Sequence, residues 1–104
     1  MKIILKHMYI ILKVEKNKSK KIEELYKDDI VSRQTIIRRE ALSLGLNEEN
    51  IYILVEGSEE GISRAKEISK DFAIIPSQTE MEKIYKKFKE QDESSLEGMG
   101  SIFG

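Results

Sequence analysis

The side chains with the most evident chemistry are a set of cations and one amide between positions 20 and 39. Guanidinium and ammonium groups donate hydrogen bonds to phosphate oxygens, and Arg and Gln can also bind the edges of bases. The set consists of Lys20, Lys21, Arg33, Gln34, Arg38 and Arg39. These residue types suit a nucleic-acid surface, with Arg33 and Gln34 on base edges and the other four on phosphates.

The stretch IEELYKDDIVSRQTI, which contains two of these residues, resembles the helix-turn-helix motif of DNA-binding proteins. Its apolar spacing matches the motif at Ile22, Leu25, Val31 and Ile36. The resemblance covers residues 22–42, about a fifth of the chain. It implies a second helix whose first residues, Ser32 to Thr35, enter the major groove.

The same stretch departs from the motif at its strictest positions. Tyr26 replaces the small residue at the helix crossing, Asp29 an apolar residue, Ile30 the turn glycine and Glu40 a later core residue. A β-branched residue is unfavourable at the positive φ that a turn glycine supplies. We therefore favour an ordinary amphipathic helix that packs on a sheet.

That helical region extends over residues 19–45, as one helix or as two with a break at Asp28 and Asp29. Its apolar residues follow helical spacing, and Gly45 suits a C-terminal cap. We expect Ile30 and Ile37 on its buried side, and Arg33 and Arg38 in solvent.

The residue types that other kinds of site require are absent. The chain has no Cys and one His, so a thiolate nucleophile, a disulfide and a Cys/His metal set are excluded. The turn LVEGSEEG precedes a helix, but Glu56, Glu59 and Glu60 would repel a phosphate there. The sequence therefore predicts a non-enzymatic protein with no catalytic residue, cofactor or metal.

Charge is distributed unevenly along the 104 residues, although the net charge is only −1. Residues 1–39 carry 11 Lys and Arg against 5 Asp and Glu, and residues 40–104 carry 7 against 14. This asymmetry favours either a basic face for nucleic acid or two complementary faces that meet in an oligomer. The absence of Cys favours the cytoplasm, and abundant Ile, Lys and Glu are typical of thermophiles and of AT-rich genomes alike.

Hydrophobic patterning and capping residues predict three strands and two further helices. Strands are predicted at residues 3–14, 51–56 and 72–76; Ser58 is expected to cap a helix at 59–70, and Ser77 and Glu80 form a capping box before a third helix. The order β-α-β-α-β-α predicts an α/β or α+β fold, a two-layer sandwich with a small, three-stranded, mainly parallel sheet. We expect one domain, residues 1–91, and a flexible or docking tail, residues 92–104.

Two apolar features suggest association with other chains. The first strand is apolar on both faces, and at about 40 Å it is longer than usual, so part of it could pair with a second copy. The tail could dock on another protein. The association residues are Tyr9, Ile11, Leu96, Met99, Ile102 and Phe103.

The functional hypothesis is therefore a non-enzymatic module that acts by protein association, most simply as a homo-oligomer. The alternative is nucleic-acid binding through the basic N-terminal half. No membrane segment is expected, because charges interrupt the apolar run near the N-terminus, which is also too short to span a bilayer.

Overall fold

Four strands form one antiparallel sheet in the computed structural model, which describes the backbone of residues 8–103 and the side chains of residues 8–91. The strands are β1 (Met8–Glu15), β2 (Thr35–Glu40), β3 (Asn50–Gly57) and β4 (Ala73–Ile74). Their order across the sheet is β2-β3-β1-β4, and every neighbouring pair is antiparallel. The predicted three-stranded, mainly parallel sheet is therefore wrong, whereas the mixture of helices and strands is confirmed.

Three α-helices accompany the sheet within residues 8–103. They are α1 (Glu23–Lys27), α2 (Glu59–Ser69) and α3 (Gln78–Phe103). Short 3₁₀ segments occupy Lys16–Ile22, Val31–Arg33 and Ala41–Leu44. The first of these leads directly into α1, so the chain crosses from β1 to β2 through a mostly helical connection.

The connections explain why a β-α-β order produces antiparallel neighbours. β1 and β2 run in the same direction but β3 lies between them, and β3 and β4 run in the same direction with β1 between them. Each helical crossover therefore skips one strand. This is the split β-α-β, or ferredoxin-like, arrangement of strands, with α3 added after β4.

The expected break at Asp28 is present, because the chain leaves the helical conformation there, but the helix predicted to continue to residue 45 is wrong, since Thr35–Glu40 form a strand. Asp28 has φ −72° and ψ 132°, and its carboxylate accepts hydrogen bonds from the backbone N–H groups of Ile30, at 3.1 Å, and Val31, at 3.0 Å. Such side-chain caps compete with helix continuation. The Arg64 guanidinium reaches the same carboxylate at 3.0 Å and ties this turn to α2.

The helix-turn-helix resemblance fails for the same reason. Residues that would extend the second helix form β2 instead, which pairs with β3 from Thr35 opposite Glu56 to Glu40 opposite Ile51. The β-branched run of Thr35, Ile36 and Ile37 suits an extended backbone better than a helix. Consequently Ile37 is half-buried in a strand, and Arg38 is exposed as expected but for a different reason.

Both faces of the sheet are covered, so the domain has three layers rather than the predicted two. On one face, Ile10, Leu12, Ile53 and Val55 pack with residues of α1 and α2. On the other face, Ile11, Tyr52 and Leu54 pack with Ile84 and Phe88 of α3. Successive strand residues alternate between these two cores, as the pleat requires.

Several local predictions are confirmed. β3 extends one residue beyond each end of the predicted strand 51–56. The Ser58 hydroxyl caps α2 by accepting a hydrogen bond from the backbone N–H of Gly61 at 3.1 Å, and the Ser77 hydroxyl accepts one from Glu80 at 3.3 Å before α3. Strong capping signals therefore located two helix starts correctly.

Gln34 connects the start of β2 to the start of α2. Its Oε1 accepts a hydrogen bond from the backbone N–H of Ser58 at 2.9 Å, and its Nε2 donates one to the carbonyl of Ile30 at 3.0 Å. A Cβ atom at Gly57 would lie 2.0 Å from Gln34 Oε1, and one at Gly61 would lie 2.2 Å from Gln34 Cδ. The two glycines therefore make room for this amide.

We expect Gln34→Ala to lower the free energy of unfolding by about 1–3 kcal/mol, because it removes two hydrogen bonds and leaves the space beside Gly57 and Gly61 unfilled. Urea unfolding followed by circular dichroism measures the change. Gln78→Ala, at an exposed position of α3, is the matched control and should change stability by less than about 0.5 kcal/mol. Equal effects of the two substitutions would show that Gln34 has no special structural role.

Candidate functional site

The predicted nucleic-acid residues do not all lie on one surface. Lys20 and Lys21 are exposed in the 3₁₀ segment before α1, and Arg33 is exposed and forms an ion pair with Asp29 at 3.2 Å. Gln34, as described above, is engaged with the N-terminus of α2. Nucleic-acid binding itself stays a prediction.

Arg38 and Arg39 are neighbours in β2 and therefore point to opposite faces of the sheet. Arg38 lies opposite Ile53, on the face that α1 and α2 cover, and Arg39 lies opposite Tyr52, on the α3 face. Arg39 Nε donates a hydrogen bond to Gln91 of α3 at 3.2 Å. The two arginines cannot follow one phosphate track side by side.

The predicted association residues of β1 contact α3 within the same chain. Ile11 is completely buried in the core beneath this helix. The ring of Tyr9 stacks on that of Tyr85, with centroids 4.0 Å apart and an interplanar angle of 17°. Side chains of the remaining association residues, Leu96, Met99, Ile102 and Phe103, lie outside the described residues.

A polar cluster joins β3 to α3 beside these stacked rings. The Glu56 carboxylate is 5% exposed, and it accepts a hydrogen bond from the Tyr85 hydroxyl at 2.9 Å. Lys89 Nζ lies 3.1 Å from Glu56 Oε1 and 5.2 Å from the centroid of the Tyr85 ring. A buried carboxylate is stable only with such partners, so the cluster holds α3 at one position along the sheet.

The cluster changes the acidity of its members. Its hydrogen bond to Glu56 raises the pKa of Lys89 above the ordinary value. Burial, followed by the hydrogen bond to Glu56, raises the pKa of Tyr85, and burial together with the Glu82 carboxylate raises the pKa of Tyr9. All three shifts favour a protonated lysine and neutral phenols at neutral pH.

Sequence reasoning considered Glu56 only as an acidic residue of the turn before α2 and missed this role. The available signal was its position in β3, since Tyr52, Leu54 and Glu56 share one face of a strand that is otherwise apolar. A carboxylate in that row requires a cation or hydrogen-bond donor from the layer above. The Tyr85 and Lys89 positions, four residues apart on one face of α3, supply both.

A second carboxylate lies near the other end of the same sheet face. Glu48 Oε1 accepts hydrogen bonds from Asn50 Nδ2 at 2.6 Å and from the Tyr52 hydroxyl at 3.0 Å, and Lys13 Nζ lies 3.6 Å away. The hydrogen bond from Asn50 is the main cause that lowers the pKa of Glu48. Burial and then the Glu48 carboxylate raise the pKa of Tyr52 far above its ordinary value.

The outer edge of β2 is an open edge of the sheet. β2 pairs with β3 on one side, and on its other side no strand of the described chain follows. Thr35, Arg38 and Glu40 are exposed, and Ile36 and Ile37 are half-buried. The carbonyls of Arg38 and Glu40 accept side-chain hydrogen bonds from Arg39 Nη1 and the Ser43 hydroxyl, and no strand of the described chain pairs with this edge. A six-residue strand that lacks a partner strand on one side can accept another strand.

Neither a metal centre nor a membrane span is evident in the part of the chain that the structure describes. There, no group of three or more His, Cys, Asp or Glu side chains could hold a metal ion. The helices within the same range are not long and apolar enough to cross a bilayer.

Comparison with known proteins assigns no relative to the chain. No family model, no curated protein and no solved structure matches it.

We expect Lys89→Met to lower the free energy of unfolding by about 1–3 kcal/mol, because it removes the cation beside the buried Glu56 carboxylate. Lys86→Met, at an exposed position of the same helix, is the matched control and should have an effect below about 0.5 kcal/mol. Chemical unfolding at pH 7 provides both values. If the two variants were equally stable, the ion pair would not contribute to the position of α3.

The shifted pKa values also set the pH range of stability. The raised pKa of Lys89 means that its contribution is complete below the ordinary lysine pKa and is lost as the pH rises through the raised value. Neutral Tyr85 and Tyr52 act in the same direction. The pKa of Glu48 is lowered, and the backbone hydrogen bond from Val31 lowers the pKa of Asp28. The stability that these two carboxylates contribute is therefore lost as the pH falls.

We therefore expect the free energy of unfolding to be nearly constant from about pH 5 to about pH 9 and to decrease on both sides. Urea unfolding across pH 2–11 would measure this profile, and Lys89→Met should remove part of the alkaline decrease. A stability that increased above about pH 10 would contradict the assignment of these shifts.

Proposed function

We propose that this protein is a self-associating, non-enzymatic module whose copies join through the outer edges of their β2 strands. The observation that carries the proposal is the unpaired edge of β2 in the described chain. Addition of a second strand would pair its outward N–H and C=O groups and extend the sheet from four strands to eight. The earlier candidate, β1, pairs with β3 along its whole length and with β4 over two residues, and it is less suitable because its residues Ile10 to Leu12 are buried.

Symmetry restricts how two identical edges can pair. A two-fold axis normal to the sheet makes the two β2 strands antiparallel and keeps the same faces together, so one residue must lie opposite its own copy. With Ile37 on the axis, Ile36 lies opposite the second copy's Arg38 and Thr35 lies opposite its Arg39. No like charges are then directly opposite each other.

The register in which the axis is shifted by one residue is less favourable. If Arg38 lay on the axis, two guanidinium groups would be directly opposite each other, and like charges at such positions are destabilising. The charged half of β2 therefore disfavours registers that place one of its arginines on the axis, and it discourages indiscriminate pairing with other edges. Ile37 would bury its remaining exposed surface against its own copy, which adds a hydrophobic contribution.

We expect opposite effects from two substitutions at one exposed position. Thr35→Lys places a cation opposite the second copy's Arg39 and should weaken dimerisation by about tenfold, because the repulsion occurs twice in a symmetric dimer. Thr35→Glu places an anion there and should strengthen dimerisation by a similar factor. Analytical ultracentrifugation over a range of concentrations measures the dissociation constants of both variants and of the unmodified protein.

The controls use the other threonine of the chain. Thr79→Lys and Thr79→Glu change the same charges at an exposed position of α3 and should leave the dissociation constant unchanged. Thr35 lies opposite Glu56 in β3, so a lysine at this position introduces no repulsion from that residue, whereas a glutamate does. Circular dichroism of the Thr35→Glu variant must therefore show an unchanged fold before its dissociation constant is compared. A monomer at all concentrations, or equal effects at positions 35 and 79, would refute association through β2.

A further inference from the structure

A cavity of about 630 Å³ lies where the end of β2, the 3₁₀ segment Ala41–Leu44 and α3 come together. Its lining includes Arg39, Ser43, Gly45, Lys87, Glu90 and Gln91. The cavity is wide open to solvent, and its volume is within the range of sites for small ligands. The cavity is formed by one copy of the chain, so a ligand can bind there without dimerisation.

The Arg39 guanidinium is held in a fixed orientation at this cavity. Its Nε donates to Gln91 Oε1 at 3.2 Å, and its Nη1 donates to the carbonyl of Arg38 at 2.8 Å. Gln91 Nε2 in turn donates to the carbonyl of Ser43. Because a guanidinium has five N–H donors, these two bonds leave others for a ligand.

The charges around the cavity favour an anion. Among the side chains that the structure describes, neither Arg39 nor Lys87 forms an ion pair. Glu90 is the acidic residue of the lining and reduces the net positive charge without neutralising both cations. A guanidinium that is fixed by hydrogen bonds loses little entropy when it binds an oxyanion.

We propose that this cavity binds the phosphate group of a small phosphate monoester. Arg39 donates paired hydrogen bonds to two phosphate oxygens through its free N–H groups, and Lys87 supplies a second positive charge from α3. The backbone phosphates of a nucleic acid carry related chemistry. A shared line of exposed cations would suit them better, whereas Arg39 and Lys87 line one cavity.

Titration of inorganic phosphate and of a nucleoside monophosphate at low ionic strength, followed by ¹⁵N NMR, tests the proposal. We expect saturable one-to-one shifts at the backbone amides of Ser43, Leu44 and Gly45. Arg39→Gln should weaken binding of both probes by at least about tenfold, since it removes a charge-assisted pair of hydrogen bonds. Glu90→Gln should tighten binding by a few-fold, because it removes the nearby negative charge.

Matched controls distinguish this site from general attraction to cations. Arg33→Gln and Lys66→Gln change the same residue types at exposed positions elsewhere and should leave affinity within about twofold. The Glu90 variant keeps the test decisive if Arg39→Gln unfolds. Linear, unsaturated shifts, equal weakening by the controls, or binding of a short oligonucleotide without binding of either small probe would overturn the proposal.

Discussion

The structure depends on one constraint, which is that β3 is buried on both faces. Six consecutive residues, Ile51 to Glu56, are at most 5% exposed. A strand of this kind requires a packed layer above and below, because alternate side chains point in opposite directions. α1 and α2 supply one layer and α3 supplies the other. Glu56 also fixes the position of α3, since its buried carboxylate accepts hydrogen bonds from Tyr85 and Lys89.

All the helices of the described chain pack on the two faces of the sheet. None of them covers its outer edges. β4 pairs with β1 over only two residues, so that edge is short. β2 is six residues long and joins the sheet through β3 alone. The edge on which the proposed function depends is therefore a consequence of the same packing that builds the core. Arg39 belongs to this strand and also lines the cavity beneath α3, so the two proposed surfaces adjoin each other.

The sequence predicts those parts of the fold whose signals are local. The apolar run of β3 and the serine caps of α2 and α3 define their elements without tertiary information. The helix predicted beyond Asp28 is wrong because the apolar spacing suits a helix, whereas β2 pairs with β3 and Gln34 fits between Gly57 and Gly61, and both contacts are distant in the sequence. Missing β2 also made a parallel sheet the natural expectation. The sequence identifies the cations of the predicted nucleic-acid site. It does not show which of them share a surface, because that depends on the strand register.

Amide hydrogen exchange across Thr35–Glu40 at two protein concentrations tests the central claim most directly. An edge strand bonded to β3 protects every second amide, and the alternate, outward-facing amides exchange rapidly in the monomer. The account predicts that these outward amides become protected as the concentration rises through the dimerisation range, while amides elsewhere change little. Continuous protection of all amides in this segment at low concentration, as in a helix, or outward amides that exchange rapidly at every concentration, would contradict it.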